Sequence, residues 1–310
     1  MHWKLKGTLQ KVLGVVPGGG AMHYALQRRF GGLRDFAAEF DSKVEDWRIM
    51  AGHLDAASMA IPGRRLFEIG SGWYPTFPLA CYLAGAARVT TVDLNRHLKH
   101  DLLQACAERL GNAVPTIAAT CGLDEAAVRA RHARLRDALS HSDDLASATE
   151  GVVLYKAPAD ATRTDLAAGS IDCIFSNSVL EHVPPAAIDG MYVEAMRLLA
   201  PGGIMFHSVN CGDHYAYVDR RVHQLHYLRY SDAEWQRWNN AFLYQNRMRA
   251  HEFVDRAKAA GFAIDLDTSH ATERRLGELA AMPVHAQFAS IPAERLCITT
   301  IDFIARKPVA

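Results

Sequence analysis

Leu66-Phe67-Glu68-Ile69-Gly70-Ser71-Gly72 decides the fold. Apolar residues flank one carboxylate and run into a glycine turn, and a helical pattern resumes near Phe77. The run predicts a buried strand, a tight turn and a helix, with glycine tolerating the dihedrals such a turn demands. Ligands of open α/β sheets gather at the carboxyl ends of the strands, so this turn marks a candidate site. The dinucleotide fingerprint wants a third glycine where Pro75 stands, which disfavours a nicotinamide oxidoreductase. No lysine follows as in a phosphate-binding loop, which disfavours a nucleoside triphosphate.

Working outward, apolar runs predict strands near 65–69, 88–93, 152–156, 170–176, 203–209, 262–267 and 296–306, with helices between most of them. Strands separated by crossover helices make a Rossmann-like, doubly wound sheet, here seven-stranded and mostly parallel. Pro283 and Pro292 in the last connection suit an added edge hairpin. A helix is predicted over Asp41 to Met59, with Ser42 and Glu45 as a capping box. About sixty residues separate the second and third strands, far more than a crossover needs. Their helical pattern over Asp124 to Leu139 points to an insertion at about 111–150, serving as a lid or oligomer contact. The division expected is an N-terminal helical cap, 1–60, and a catalytic domain, 61–310.

Thirty-four Lys and Arg balance thirty-four Asp and Glu, so the chain lacks the field that draws a protein to nucleic acid. No uninterrupted apolar run reaches bilayer length, so no integral membrane segment is expected. Six scattered cysteines without a C-x-x-C pair read as reduced thiols of a cytoplasmic protein. The first 34 residues carry six basic side chains and no acidic one. Trp3, Leu5, Leu9, Val12, Leu13 and Val16 fall at helical spacing there. Such a helix covers a groove of its own chain or a second copy in a homodimer; the sharper alternative is an anionic membrane surface.

Glu68 opposes a pyrophosphate and suits a cationic or zwitterionic cofactor. Asp93 ends the second strand, about twenty-three residues after Gly70, where an acid accepts from ribose hydroxyls. Asp160, within Ala159-Asp160-Ala161, is placed to accept from an adenine amino group. The fourth strand ends in Asn177 and leads into Ser178-Val179-Leu180-Glu181-His182-Val183; Leu198-Leu199-Ala200-Pro201-Gly202-Gly203 precedes the fifth. Over about 64–210 these segments resemble the class I S-adenosylmethionine-dependent methyltransferase family: its E-x-G-x-G turn, ribose acid, adenine-side D-A, L-E-H-V and L-x-P-G-G. The resemblance implies S-adenosylmethionine as cofactor, with Glu68, Gly70, Ser71, Gly72 and Asn177 on the methionine and ribose side. It implies Asp93 on the ribose hydroxyls, and Leu94, Asp160 and Ala161 around the adenine. Many members carry a third glycine where this chain has Tyr74, so Trp73 and Tyr74 bring ring faces that favour a cation.

The acceptor side is read from the segment after the fifth strand. His214 backed by Asp213 is the first candidate base, and His182 the second. Trp73, Tyr74, Tyr24, Arg28, Asn246 and Arg247 are the candidate substrate contacts, the arginines as forks for a carboxylate or phosphate. His223 and His226 share a helical spacing near His214, but no H-E-x-x-H set exists, and no metal is expected. The leading expectation is methyl transfer to a hydroxyl or amine of a small molecule, a secondary metabolite or sugar. A second reading is a cofactor-consuming lyase that closes azetidine-2-carboxylic acid and releases methylthioadenosine. A third is a non-catalytic binder of the same cofactor.

Overall fold

In the computed structural model, which describes residues 2–30, 34–142 and 144–309, the quoted stretch is the strand β1 (Arg65–Ile69). It is buried at every position but the first. On one side lie β2 (Arg88–Val92) and β3 (Val153–Lys156); on the other, β4 (Ile171–Asn177) and β5 (Leu199–Asn210). These five strands are parallel. β6 (Ala263–Asp267) and β7 (Thr300–Arg306) complete a seven-stranded sheet of order β3-β2-β1-β4-β5-β7-β6, with β7 antiparallel to both neighbours. The Rossmann-like, mostly parallel sheet expected from the sequence is therefore present. Its last two strands pair antiparallel at one end of the sheet, as the expected edge hairpin does. β7 buries Ile301, Phe303, Ile304 and Ala305 and so works as a two-sided inner strand, whereas β6 alternates exposed and half-buried residues and forms the edge.

The helices are α1 (Trp3–Leu13), α2 (Gly19–Phe30), α3 (Phe36–Ala56), α4 (Thr76–Leu83), α5 (His100–Cys121), α6 (Glu125–His141) and α7 (Leu145–Ala148). After β4 come α8 (Pro185–Leu198), α9 (Asp232–Trp235), α10 (Ala250–Ala259), α11 (Glu273–Ala280) and α12 (Ala293–Leu296). One face of the sheet is covered by α3 to α6, through Trp47, Met50, Leu79, Leu110 and Leu135. The other is covered by α8 and α10, through Ile188, Tyr192 and Phe253. A third cluster lies under the segments after β5, where Trp3 packs on Tyr215, Trp235 and Trp238.

Several local expectations need correction. α3 begins at Phe36, capped by the Asp35 carboxylate accepting from the Ala38 N–H at 3.2 Å; Ser42 lies inside the helix and makes no capping box. α3 also shares the sheet's core, so packing continues across position 60. The crossover helix α5 runs through to Cys121, so the extra hairpin begins at Glu125 rather than 111. It packs Val128, Leu135 and Leu139 into the helical layer against α5, not over the carboxyl edge of the sheet. Of the N-terminal stripe, α1 turns Trp3 and Leu13 inward with Gly7 and Gln10; Leu5, Leu9, Val12 and Val16 stay exposed. Among the described residues no helix is long and apolar enough to cross a membrane, and all six cysteines are free thiols.

Candidate active site

The carboxyl ends of β1, β2 and β4 open onto a cleft with two lobes. The larger, about 720 Å³, is walled by Ile69, Val92, Leu94, Ala161, Val183 and Met191, with Asp160 among its lining. The smaller, about 490 Å³, is lined by Ser71, Gly72, Trp73, Tyr74, Asn177 and Phe242, with Lys43 and Glu39 from α3. Gly70, Asp93, His97, Val179 and His182 border both, so the lobes meet above the glycine turn.

The turn has little freedom in its residue types. Gly70 sits at φ +82 and Gly72 at φ +65, in the left-handed region. A Cβ on Gly70 would fall 2.6 Å from a Val179 methyl. The Gly70 N–H donates to the Val92 carbonyl at 2.8 Å, and the Gly72 N–H to Asp93 Oδ1 at 3.2 Å. Tyr155 donates its hydroxyl to Asp93 Oδ2 at 3.0 Å. Each Asp93 oxygen thus keeps a lone pair for a ligand hydroxyl, while burial pushes its carboxyl pKa up.

Glu68 does not line either lobe. It is 4% exposed beneath the turn, accepting from Ser71 Oγ at 2.8 Å and from the Thr91 hydroxyl. Burial pushes its pKa up to about 7 against those bonds. Its place corrects the expectation of direct contact: a carboxylate on a parallel strand alternates away from the turn's open side and ties Ser71 to β2 instead. Asn177 accepts from the Lys43 ammonium. Asp160 spends one oxygen on the Thr162 N–H and hydroxyl, both at 2.8 Å, and stands exposed at the rim with Leu94. Ala161 is buried in the wall.

α2 lies over the smaller lobe. Tyr24 stacks on Trp73 at 5.0 Å between ring centres, and His23 on Phe242 at 4.0 Å. Tyr74 leans on Phe36, its hydroxyl buried without a partner. Arg28 is a surface residue paired with Asp101 at 3.6 Å. Asn246 and Arg247, expected at a substrate, are structural. Asn246 Nδ2 donates to the Leu180 and Val183 carbonyls at 2.7 and 2.8 Å, fastening the loop after β4. Arg247 is 5% exposed and donates to the Tyr227 and Tyr230 carbonyls and to Asp232. Both side chains spend their donors on these local turns rather than on the cleft.

The expected His214–Asp213 pair is not formed. Asp213 is fully buried and accepts from His226 Nδ1 at 3.0 Å and from the Tyr215 N–H at 2.8 Å. His226 is thereby used up, and His223 stands apart beside Glu278 at 3.9 Å, so the histidines after β5 assemble no site with each other. Burial lowers the His214 pKa to about 3, which leaves a neutral ring and a weak base. His214 instead meets Glu181 and His182. Its Nε2 lies 4.0 Å from Glu181 Oε1, and its ring meets that of His182 edge-on at 4.9 Å. Glu181 is 3% exposed and both its oxygens lack a partner, as does His214 Nε2. His182 Nδ1 donates to the Tyr244 carbonyl at 2.6 Å, since a carbonyl only accepts; a neutral ring then carries its lone pair on Nε2. In the sequence Glu181 stands only as a letter of the L-E-H-V motif, with no role of its own. Its signal lies in the register: Asn177 pairs with Ser208, bringing the loops after β4 and β5 side by side.

Residues 35–266 match the methyltransferase domain family. No curated protein matches the chain. Among solved structures, an S-adenosylmethionine-dependent methyltransferase from Mesorhizobium loti is 16% identical over 82% of this chain and 95% of its own, with a TM-score of 0.39. Phosphoethanolamine N-methyltransferase 2 of Haemonchus contortus, in complex with S-adenosyl-L-methionine, is 16% identical over 80% of this chain and 49% of its own, TM-score 0.41. The cyclase SpnF is 17% identical over 80% of this chain and 76% of its own, TM-score 0.42. The cleft suits the cofactor of that family: Asp93 keeps acceptor capacity for hydroxyls, the larger lobe offers apolar walls to a flat base, and the smaller offers aromatic rings to a sulfonium. With its glycine turn, strand-end acid and β3-β2-β1-β4-β5-β7-β6 sheet, the chain belongs to the class I S-adenosylmethionine-dependent methyltransferase family, whose cofactor is S-adenosylmethionine.

Proposed function

We propose that the protein transfers a methyl group from S-adenosylmethionine to a hydroxyl or amine of a small molecule received in the smaller lobe. The observation that carries this reading is the junction of the two lobes at Gly70, Asp93, Val179 and His182, which lets one ligand's reactive centre face another's. S-adenosylmethionine supplies an electrophilic methyl on a sulfonium, and the protein's task is alignment. Asp93 accepts from the ribose hydroxyls, with the Gly72 amide and the Tyr155 hydroxyl fixing its rotamer. Leu94, Ala161 and Asp160 border the adenine, and the Lys43–Asn177 pair borders the methionine end. Trp73 and Tyr74 give ring faces to the positive centre. Helix α2 acts as a cap over the smaller lobe, held by the Tyr24–Trp73 and His23–Phe242 stacks. His182, rather than His214 with Asp213, borders the acceptor side.

Incubating the purified chain with S-adenosylmethionine alone, followed by mass spectrometry, tests the reading. The expected result is intact cofactor, with methylated product appearing only when hydroxyl or amine acceptors are added. Methylthioadenosine released well above the spontaneous rate, with azetidine-2-carboxylic acid, would replace transfer by the lyase chemistry. Failure to bind S-adenosylhomocysteine in calorimetry would overturn both.

A further inference from the structure

Glu181, His182 and His214 each offer a ligand atom, and these atoms lie within 4.8 Å of one another. Two observations set the cluster apart from an ordinary buried ion pair. Both Glu181 oxygens are buried with no hydrogen-bond partner, and so is His214 Nε2. A buried carboxylate without a charged partner is destabilising, so the fold holds it for something that supplies positive charge. His182 Nδ1 is occupied by the Tyr244 carbonyl, which orients the ring as second-shell carbonyls orient metal-bound imidazoles.

We propose that Glu181, His182 and His214 bind one divalent transition-metal ion at the junction of the two lobes. The donor set is two imidazoles and a carboxylate, which suits zinc, iron, cobalt, nickel or manganese and disfavours calcium and magnesium, which take oxygen ligands. Ligation takes each imidazole through one ring nitrogen, and the His182 Nδ1 bond to the Tyr244 carbonyl leaves Nε2 as the ligating atom of that ring. Ligand atoms around such an ion stand about 3.0–3.4 Å apart, given bonds of about 2.1 Å. The 4.0 Å between His214 Nε2 and Glu181 Oε1 closes to that range by side-chain rotation. Three protein ligands leave open positions, and His182 borders both lobes, so the ion's free side faces the cleft. There it would hold an oxygen donor of the acceptor. The inference deepens the methyltransferase reading and rests on it for that last role alone.

The test is titration of chelator-treated protein with Zn(II) by calorimetry, repeated with Co(II) followed by visible absorption. One ion per chain is expected, with affinity falling at least about a hundredfold in Glu181→Gln and in His214→Ala. His223→Ala, outside the cluster, should leave the titration unchanged. Glu181→Gln should melt no lower than the parent, because it removes a buried charge without a partner; this keeps loss of binding from being loss of fold. A one-to-one site that survives Glu181→Gln and His214→Ala, or a parent that binds no more than those variants, overturns the site. S-adenosylhomocysteine binding is measured on the same samples. Metal lost with nucleoside binding intact sinks the ion and spares the methyltransferase reading; metal retained with nucleoside binding absent does the reverse.

Discussion

Two buried acid–imidazole pairs lie close together past the ends of β4 and β5, and they are built differently. Asp213 and His226 meet at 3.0 Å, and the same carboxylate also accepts from the Tyr215 N–H. Every strong valence there is answered from within the chain. Glu181 and His214 stop at 4.0 Å, with both carboxylate oxygens and the facing nitrogen unanswered. Burial and charge are common to both pairs and so do not mark a site. What separates them is satisfaction: a closed pair specifies packing, while an open one costs stability that the rest of the fold must offset. The Arg249 guanidinium, wholly buried, stands between the two: its terminal nitrogens donate to the Cys211 and Ile298 carbonyls and the Tyr227 hydroxyl, while its Nε–H has no partner.

The largest effect that sharpens this contrast is expected from Asp213→Ala. It strips His226 and the Tyr215 amide of their acceptor and should cost about 3–5 kcal/mol in denaturant unfolding. Glu181→Gln should cost nothing in the same assay. Equal losses in the two variants would erase the distinction.

Glu68 tests the same idea with pH. Its folded pKa, about 7, lies above its ordinary 4.5, so between those values the folded chain holds a proton that the unfolded chain has lost. Its stabilisation is therefore complete below about pH 4.5 and is lost as the pH rises through 7, by up to about 3 kcal/mol. Glu68→Gln keeps the bonding and should flatten this part of the stability–pH curve relative to the parent. Parallel curves from pH 5 to 8 would remove Glu68 from the account.

Asp93 is half closed, bonded on one side and open on the other. Asp93→Ala should weaken S-adenosylhomocysteine at least about tenfold by calorimetry, the worth of one or two charge-assisted bonds. Unchanged affinity would mean that its open side faces no ribose. The smallest effect is expected at Arg28, whose side chain is 46% exposed beside an exposed Asp101. Arg28→Ala should shift the unfolding free energy by less than about 1 kcal/mol and leave nucleoside binding unchanged. A tenfold loss of binding there would restore it as a ligand contact.

Most strands of the sheet were legible because each is a local apolar run, although their spatial order, β3-β2-β1-β4-β5, reverses at β1 and is not the order of the chain. The place of β7 was not, since an antiparallel strand inserted between β5 and β6 depends on pairing across more than thirty residues. Within the site, Gly70, Gly72 and Asp93 were legible because a turn and the end of the neighbouring strand suffice to place them. Arg247 and Asn246 were misread because a side chain's donors can be taken by nearby carbonyls without any trace in composition. Glu181 and His214 stand thirty-three residues apart, and only the β4–β5 register joins them.

The contact between Gly70 and Val179 has a consequence for binding. The cofactor-side turn and the loop bearing His182 mesh so closely that no side chain fits between them, and Asn246 pins that loop at Leu180 and Val183. A ligand that settles the turn therefore settles the loop, and the reverse holds with equal strength. S-adenosylhomocysteine should therefore bind more tightly in the presence of an acceptor by the same factor by which it tightens the acceptor, read by calorimetry on each ligand with and without the other.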